Sequence, residues 1–308
     1  MSQALVKAEL IVDAQHAVGE SPVWVAAEQA LYWVDIPARA LWRRDAASGQ
    51  LSSWLAPEML ACIAWGGRAG RWIGGMESGI FELQTEGAAL QTKLLAPVAH
   101  ASQNMRFNDG RCDRQGRMWA GTMQMNMGLA SKDGALYRYD AAGLHKVIDG
   151  LITSNGLGFS PDGKTMYLSD SHPSVQQVWA FDYDIATGTP SNRRVFIDMN
   201  AYPGRPDGAA VDADGCYWIC GNDAGLIHRF TPAGKLDRSL AVPVKKPAMC
   251  AFGGAGLDTL FVTSIRPQGV DLTDQPLAGG VFALRPGVRG LPEPACTLLQ
   301  VFNHQPRG

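Results

Sequence analysis

A six-fold recurrence of one short pattern constrains the fold of this chain more than any other feature of its sequence. Each unit has a turn with Gly or Asp, then a short aromatic or β-branched strand, then a small or polar stop. Repeats of 40–50 residues with four short strands each are typical of propellers. The pattern predicts an all-β fold, with residues 1–308 forming a single six-bladed β-propeller; an irregular β-sandwich is the alternative. The units centre on Tyr32, Trp72, Trp119, Tyr167, Trp218 and Phe261, at steps of 40, 47, 48, 51 and 43 residues.

A propeller also needs a closed ring of blades. The first predicted strand, residues 5–12, has no partner within the first repeat. Pairing of this strand with residues 279–284 of the last repeat would remove two sheet edges at once. A C-terminal strand at residues 297–302 is the competing candidate, and the sequence leaves the choice between them open.

Composition excludes several classes of function. The chain has 27 basic and 29 acidic residues, a net charge of −2, and therefore no cationic field for nucleic acid. No apolar stretch approaches the roughly 18–20 residues that a membrane-spanning helix needs. Lys and Glu stand near the N-terminus where a signal peptide needs its apolar segment. We therefore expect a cytoplasmic protein, a monomer or weak homo-oligomer, without nucleic acid or membrane partners and with six buried thiols.

Equivalent positions of the repeats converge at one mouth of the central channel, because the innermost strand of every blade begins there. Two repeats have apolar residues at this offset, near Leu60 and Met249. The other four have two carboxylates and two carboxamides. Counting back 11 or 12 residues from the strand centres gives Glu20, Asn108, Asn155 and Asp207.

This shared offset predicts a metal site near the axis. Two carboxylates brought together are unfavourable unless a cation lies between them. Side chains of Asp, Glu and Asn supply oxygen ligands that suit Ca²⁺, Mg²⁺ or Mn²⁺, with Zn²⁺ or Fe²⁺ also possible. The dipeptides Asn155-Gly156 and Asp207-Gly208 also form turns, which is the alternative interpretation. The common position in four blades favours one bound divalent cation, whose identity the sequence does not reveal.

Six short motifs are distributed along the chain, namely GESPVW (19–24), RFNDG (106–110), AGTM (120–123), SNGL (154–157), SPDGKTMY (160–167) and PDG (206–208). In this order they resemble the SMP-30/gluconolactonase family, also called regucalcin-like proteins. A late PLAGG (276–280) is similar to the bacterial sugar-lactonase branch of that family. The resemblance extends from about residue 8 to residue 290. Together the motifs are specific, although no single one would be.

The resemblance implies a six-bladed propeller with one divalent metal near the axis. Carried over onto this sequence, it gives Glu20, Asn155 and Asp207 as metal ligands. It also implies that Asn108 contacts substrate or metal-bound solvent and that Arg106 binds substrate.

One departure from the family concerns substrate contacts. Many members have an acidic residue just after the Gly-Thr-Met string, and this residue touches substrate hydroxyls. The present chain has Gln124-Met125-Asn126 there. Asn126 is the predicted contact, with Gln124 as the second candidate.

The resemblance implies hydrolysis of a sugar aldonolactone to the aldonic acid, a reaction that these residues could support. A divalent cation can polarise the carbonyl of this cyclic ester, and Asp207 is the predicted general base. Arg106 offers a planar fork of donors to sugar hydroxyls. One alternative is metal-dependent hydrolysis of aryl esters or organophosphates, and another is a non-enzymatic metal-binding propeller. Arabinono-, xylono-, glucono- and galactonolactone are not distinguished by the sequence.

Overall fold

The computed structural model describes residues 6–87 and 89–298, which form 24 β-strands in six antiparallel four-stranded sheets. The sheets are the blades of a propeller, so the predicted fold class and blade number are confirmed. In blades 1 to 5 the strands follow one another in chain order from the innermost strand outwards. Two short 3₁₀ helices, Met127–Leu129 and Met199–Ala201, interrupt the described part of the chain. No helix there is long and apolar enough to cross a membrane.

The strand bounds follow the repeats found in the sequence. In the first half of the chain they are β1 (Glu9–Val12), β2 (Gly19–Val25), β3 (Ala30–Asp35), β4 (Ala40–Asp45), β5 (Leu51–Leu55), β6 (Cys62–Trp65), β7 (Arg71–Gly75), β8 (Gly79–Glu86), β9 (Ala89–Pro97), β10 (Met105–Cys112), β11 (Met118–Gln124), β12 (Gly134–Asp140) and β13 (Gly143–Leu151). In the second half they are β14 (Ser154–Phe159), β15 (Thr165–Asp170), β16 (Gln177–Asp184), β17 (Thr189–Asp198), β18 (Arg205–Val211), β19 (Tyr217–Asn222), β20 (Leu226–Phe230), β21 (Leu236–Ala241), β22 (Pro247–Gly253), β23 (Thr259–Ser264) and β24 (Val281–Leu284).

The N-terminal strand closes the ring. Blade 6 has the strand order β1-β24-β23-β22, and Leu10 of β1 stands opposite Phe282 of β24. The pairing expected between the first strand and residues 279–284 is therefore confirmed. Most of the competing segment, residues 297–302, lies outside the described residues. The assignment of residues 1–308 to a single domain stays a prediction.

The hydrophobic core lies between neighbouring blades. Tyr32, Trp72, Trp119 and Trp218, the strand centres of blades 1, 2, 3 and 5, are at most 2% exposed. Burial of one large apolar side chain contributes about 1.5–3 kcal/mol, so each blade gains stability from the next. This packing explains why an aromatic residue recurs at the strand centre of every repeat.

The C-terminal segment, residues 285–298, crosses the face opposite the starts of the inner strands. Its backbone binds several blades: Ala213 N–H donates to the Arg289 carbonyl, and Cys296 N–H donates to the Trp65 carbonyl at 2.7 Å. Glu293 lies 3.6 Å from Arg111 of β10. The space left beside Glu293 is about 10 Å³.

Gly208 of β18 marks the close approach of blades 5 and 6. A Cβ atom at this position would lie 2.4 Å from the Met249 Cβ atom. We expect Gly208→Ala to lower the free energy of unfolding by about 1–3 kcal/mol, because overpacking forces the strands apart. Gly256→Ala is the control, since its Cβ atom would make only ordinary contacts. Chemical denaturation measures both, and equal stability of the two variants would contradict this packing.

Candidate functional site at the channel mouth

A cavity of about 160 Å³ opens at the end of the channel where the inner strands begin. Its volume suits a small ligand. Five of the six residues predicted for the site line it, namely Glu20, Arg106, Asn108, Asn155 and Asp207. The sixth, Asn126, is not among its lining residues. The rest of the wall consists of Val18, Met123, Met127, Thr153, Ser171, Arg205, Pro206, Asn222 and Ile265.

Irregular strand pairing places these side chains at the mouth. The inner strands β2, β10, β14, β18 and β22 each shift register against their second strand near the start of the pairing. Bulges re-aim side chains and are common beside active sites. Asn108 and Asp207 lie within the shifted segments, whereas Glu20 and Asn155 are the last regular pairs before them. The shared sequence offset therefore corresponds to a shared backbone irregularity.

Gly156 allows this irregularity in blade 4. Its φ of 61° lies in the left-handed region, which glycine adopts without strain. A Cβ atom there would lie 2.6 Å from both Ser169 Oγ and Tyr217 Oη. Tyr217 donates its hydroxyl proton to the Gly156 carbonyl at 2.6 Å. In the Asn155-Gly156 dipeptide, Gly156 thus allows the backbone irregularity and Asn155 lines the cavity.

A chain of hydrogen bonds fixes the amides. Arg106 Nη1 donates to Asn108 Oδ1 at 2.8 Å, and Asn108 Nδ2 donates to Asn155 Oδ1 at 3.1 Å. Asn155 Nδ2 donates to Ser171 Oγ at 2.6 Å, and Ser171 in turn donates to the Pro206 carbonyl. The bond to Ser171 fixes the orientation of the Asn155 amide. Because Asn155 Oδ1 has two lone pairs and accepts from Asn108 with one of them, the other is available to a further partner.

The two carboxylates are nearly removed from water, since Glu20 and Asp207 are each 7% exposed. Burial raises the pKa of Glu20 well above its usual range, and the charges of Asp207 and Asp109 raise it further. Burial also raises the pKa of Asp207 to about 7, although the Asn222 hydrogen bond opposes the shift. The pKa of Arg106 falls to about 10, chiefly through burial. A positive ion beside these carboxylates would favour their ionised forms.

The donor set fits a divalent cation. Glu20 Oε2 accepts from the Ser21 N–H at 3.0 Å, and Asp207 Oδ2 accepts from Asn222 Nδ2 at 2.6 Å. Glu20 Oε1 and Asp207 Oδ1 accept no hydrogen bond from residues 6–87 or 89–298. Together with Asn155 Oδ1 they offer three oxygen ligands of the kind that hard cations bind.

The described residues contain no metal site built from His, Cys, Asp and Glu side chains alone. Within the described part of the chain, no three or more His, Cys, Asp or Glu side chains are grouped so as to hold a metal ion. The predicted ligand set has only two carboxylates, and its third member is the amide oxygen of Asn155. The metal assignment of Glu20, Asn155 and Asp207 stays a prediction.

Asn222 is a site residue that the sequence reasoning missed. It ends β19 opposite Arg205, lines the cavity and donates to Asp207. Its own Oδ1 accepts from Lys246 Nζ at 3.4 Å. The bond to Asp207 Oδ2 leaves Oδ1 as the carboxylate oxygen available to a ligand.

The small or polar residue that ends the strand in each sequence repeat marks the position at which Asn222 stands. Asp35 ends β3 and accepts from the Ala17 and Val18 N–H groups, which precede β2. Asp170 ends β15 and likewise accepts from the N–H groups of the loop before β14. These strand-end carboxylates hold the loops that lead to Glu20 and Asn155. In blade 5 the same position is Asn222, which binds the side chain of Asp207 itself.

In the loop after the Gly-Thr-Met string, the side chains of Gln124 and Asn126 both bind backbone groups of nearby residues. Gln124 Nε2 donates to the Gln103 carbonyl at 2.7 Å, as a strand-end residue that holds its own loop. Asn126 Oδ1 accepts from the Gly128 N–H at 3.1 Å and caps the short helix Met127–Leu129. From this loop, Met127 reaches the cavity wall. Contact between Asn126 and substrate stays a prediction.

A larger cavity of about 410 Å³ lies on the opposite face, between blades 4 and 5. Its wall is formed by the turns that follow β14 and β18, together with Tyr167 and Phe196. It contains none of the residues that converge from the repeats. The smaller cavity at the axis is therefore the better candidate.

The comparisons agree with this geometry. Residues 18–266 match the sequence model of the SMP-30/gluconolactonase/LRE-like region. The chain belongs to this family. The 6-deoxy-6-sulfogluconolactonase of Pseudomonas putida is 39% identical over 287 residues, which cover 92% of this chain and 96% of that protein. Regucalcin of Gallus gallus is 36% identical, with coverage of 93% and 97%.

Solved structures of the family share the fold. The crystal structure of a calcium-binding protein, regucalcin, from Agrobacterium tumefaciens superposes with a TM-score of 0.87 at 27% identity. The match covers 95% of this chain and 99% of that chain. The resemblance inferred from the short motifs is thus confirmed over almost the whole length.

The hydrogen-bond chain predicts that Ser171 affects cation binding without being a ligand. We expect Ser171→Ala to weaken the affinity for a divalent cation about 10- to 100-fold, as loss of an outer-shell partner typically does. Ser160→Ala is the matched control, because this buried serine binds Asp162 on the opposite face. Titration calorimetry with Ca²⁺, Zn²⁺ and Mn²⁺ measures the effect. Equal affinities in both variants would show that Ser171 does not orient Asn155.

Proposed function

We propose that this protein hydrolyses a sugar aldonolactone to the aldonic acid, with one divalent cation held by Glu20, Asn155 and Asp207. The observation that carries the proposal is the meeting of two buried carboxylates and an oriented amide in one small cavity beside Arg106. Free oxygens of these groups face a space that suits a monosaccharide. This combination fits ester hydrolysis better than passive binding.

The side chains divide the chemistry between them. When bound, the cation supplies a Lewis acid for the lactone carbonyl. Asp207 takes a proton from the attacking water as general base, and Asn222 holds its carboxylate in place. Arg106 Nε and Nη2 make no hydrogen bond to other described residues, so they are available to sugar hydroxyls. Asn108 connects Arg106 to Asn155 and keeps the substrate and cation sides in register.

Relatives support this substrate class. The Pseudomonas putida relative is named for a sulfogluconolactone, and the Agrobacterium tumefaciens structure is described as calcium-binding. We also propose a cytoplasmic location, because all six cysteines are buried and none forms a disulfide, as is usual in a reducing compartment. We expect the protein to act as a monomer or weak homo-oligomer.

A panel of aldonolactones tests the proposal directly. We expect acid release from at least one pentono- or hexonolactone at pH 7, loss of this activity with a chelator, and its return with a divalent metal. Aryl esters and an organophosphate are the comparison substrates. Turnover of these alone would favour the esterase alternative, and metal binding without any turnover would favour the non-enzymatic one.

Asp207→Asn separates chemistry from folding. The isosteric amide should keep the thermal melting temperature close to wild type. Turnover should fall by about 10²-fold or more, because the general base and one negative ligand are lost. Asp182→Asn, at an exposed position of β16, is the control. Retention of more than a tenth of the activity would mean that Asp207 is not the base.

Arg106→Leu tests the substrate side of the cavity. Arginine has no acceptor and cannot be a ligand, so cation content should stay close to stoichiometric. KM for the lactone should rise about tenfold, through loss of charge-assisted hydrogen bonds. Elemental analysis and steady-state kinetics measure the two effects. A fall of cation content in step with activity would make Arg106 a structural residue.

A further inference from the structure

A pair of cations stands at the edge of the cavity, between blades 5 and 6. Arg205, the first residue of β18, lines the cavity, and Lys246 directly precedes β22. Both side chains reach Asp223. Arg205 Nε donates to one of its carboxylate oxygens at 2.6 Å, and Lys246 Nζ binds the other. The side chains of Arg205 and Lys246 are 23% and 25% exposed, so they are held partly out of water.

Asp223 alone does not balance the charges of this pair, because one carboxylate is shared between two cations. The other nearby carboxylate is Asp207, whose pKa the charge of Arg205 lowers, and in the proposed function Asp207 is a ligand of the bound cation. Arg205 Nη1 and Nη2 make no hydrogen bond to any other residue that the structure describes. They are donors in fork geometry, which matches an oxyanion with several acceptor oxygens.

The position of Arg205 relates it to the reacting end of a substrate. It lies two residues before Asp207 on the same strand, and two residues span about 6–7 Å. That span is about the length of a monosaccharide. A lactone with its carbonyl beside Asp207 would bring its exocyclic carbon towards Arg205.

We infer that Arg205 and Lys246 form a subsite for an anionic group, a sulfonate or a phosphate, on the exocyclic carbon of the sugar lactone. This inference rests on the proposed lactonase function, which it extends from the ring to its substituent. Arg205 binds the oxyanion with its Nη groups, and Lys246 adds charge while keeping Asp223 in place. Neutral lactones lack this contact and are the poorer substrates.

The test compares charged and neutral ligands of the same ring. Hydrolysis of gluconolactone, its 6-phosphate and its 6-deoxy-6-sulfonate is measured for the wild type and for Arg205→Met, Arg205→Lys and Lys246→Met. Calorimetric binding of gluconate and 6-phosphogluconate, which are not hydrolysed, gives a readout independent of turnover. Arg285→Gln is the control for net charge, because its side chain is 77% exposed.

We expect the wild type to prefer a charged lactone, with a preference that weakens as salt is added. Arg205→Met should lower the ratio of kcat/KM for charged over neutral lactone by about tenfold or more, Arg205→Lys should lower it less, and Arg285→Gln should leave it unchanged. The better charged substrate distinguishes sulfonate from phosphate. A wild type that favours neutral gluconolactone, or an Arg205→Met variant that loses both substrates equally, would overturn the inference.

The two proposals fail separately. If no lactone is hydrolysed but 6-phosphogluconate binds more tightly than gluconate and loses this advantage in Arg205→Met, the anion subsite stands and the lactonase proposal falls. If lactones are hydrolysed and the two acids bind equally, only the subsite falls.

Discussion

The site exists because the ring of sheets is closed. Pairing of β1 with β24 joins the first and the last strand in blade 6 and leaves no gap between blade 6 and blade 1. A closed ring fixes the distance between inner strands that are far apart in sequence, such as β2 and β18. Glu20 and Asp207, 187 positions apart, can then be held in one cavity although their charges repel.

One position in the blade is used for two purposes. At the end of the second strand, Asp35 and Asp170 bind loop backbone, and Gln124 does the same through its amide. In blade 5 the residue at this position is Asn222, whose shorter amide binds Asp207 instead. The position that fastens a loop in three blades thus carries, in blade 5, an amide that holds the Asp207 carboxylate in place.

The sequence repeats made the fold and the convergence of the site residues predictable. The hydrogen-bond networks between side chains could not be predicted in this way. The recurrence of aromatic centres gave six blades, and the common offset identified Glu20, Asn108, Asn155 and Asp207. Asn222 and Arg205 were missed because their role depends on which neighbour across the blade they reach, and no periodicity encodes this. Asn126 is predicted from its place after a motif, which does not reveal that its side chain also caps the short helix Met127–Leu129; its contact with substrate stays a prediction.

Residues 285–298 cross the far face of the propeller, so that the central channel is open at one end only. With Glu293 set against Arg111, the remaining space of about 10 Å³ is at the lower limit for a single water molecule. Whatever enters the cavity must leave by the opening through which it came. Entry and exit therefore use the same opening, and a bound molecule must leave the channel before the next one can enter.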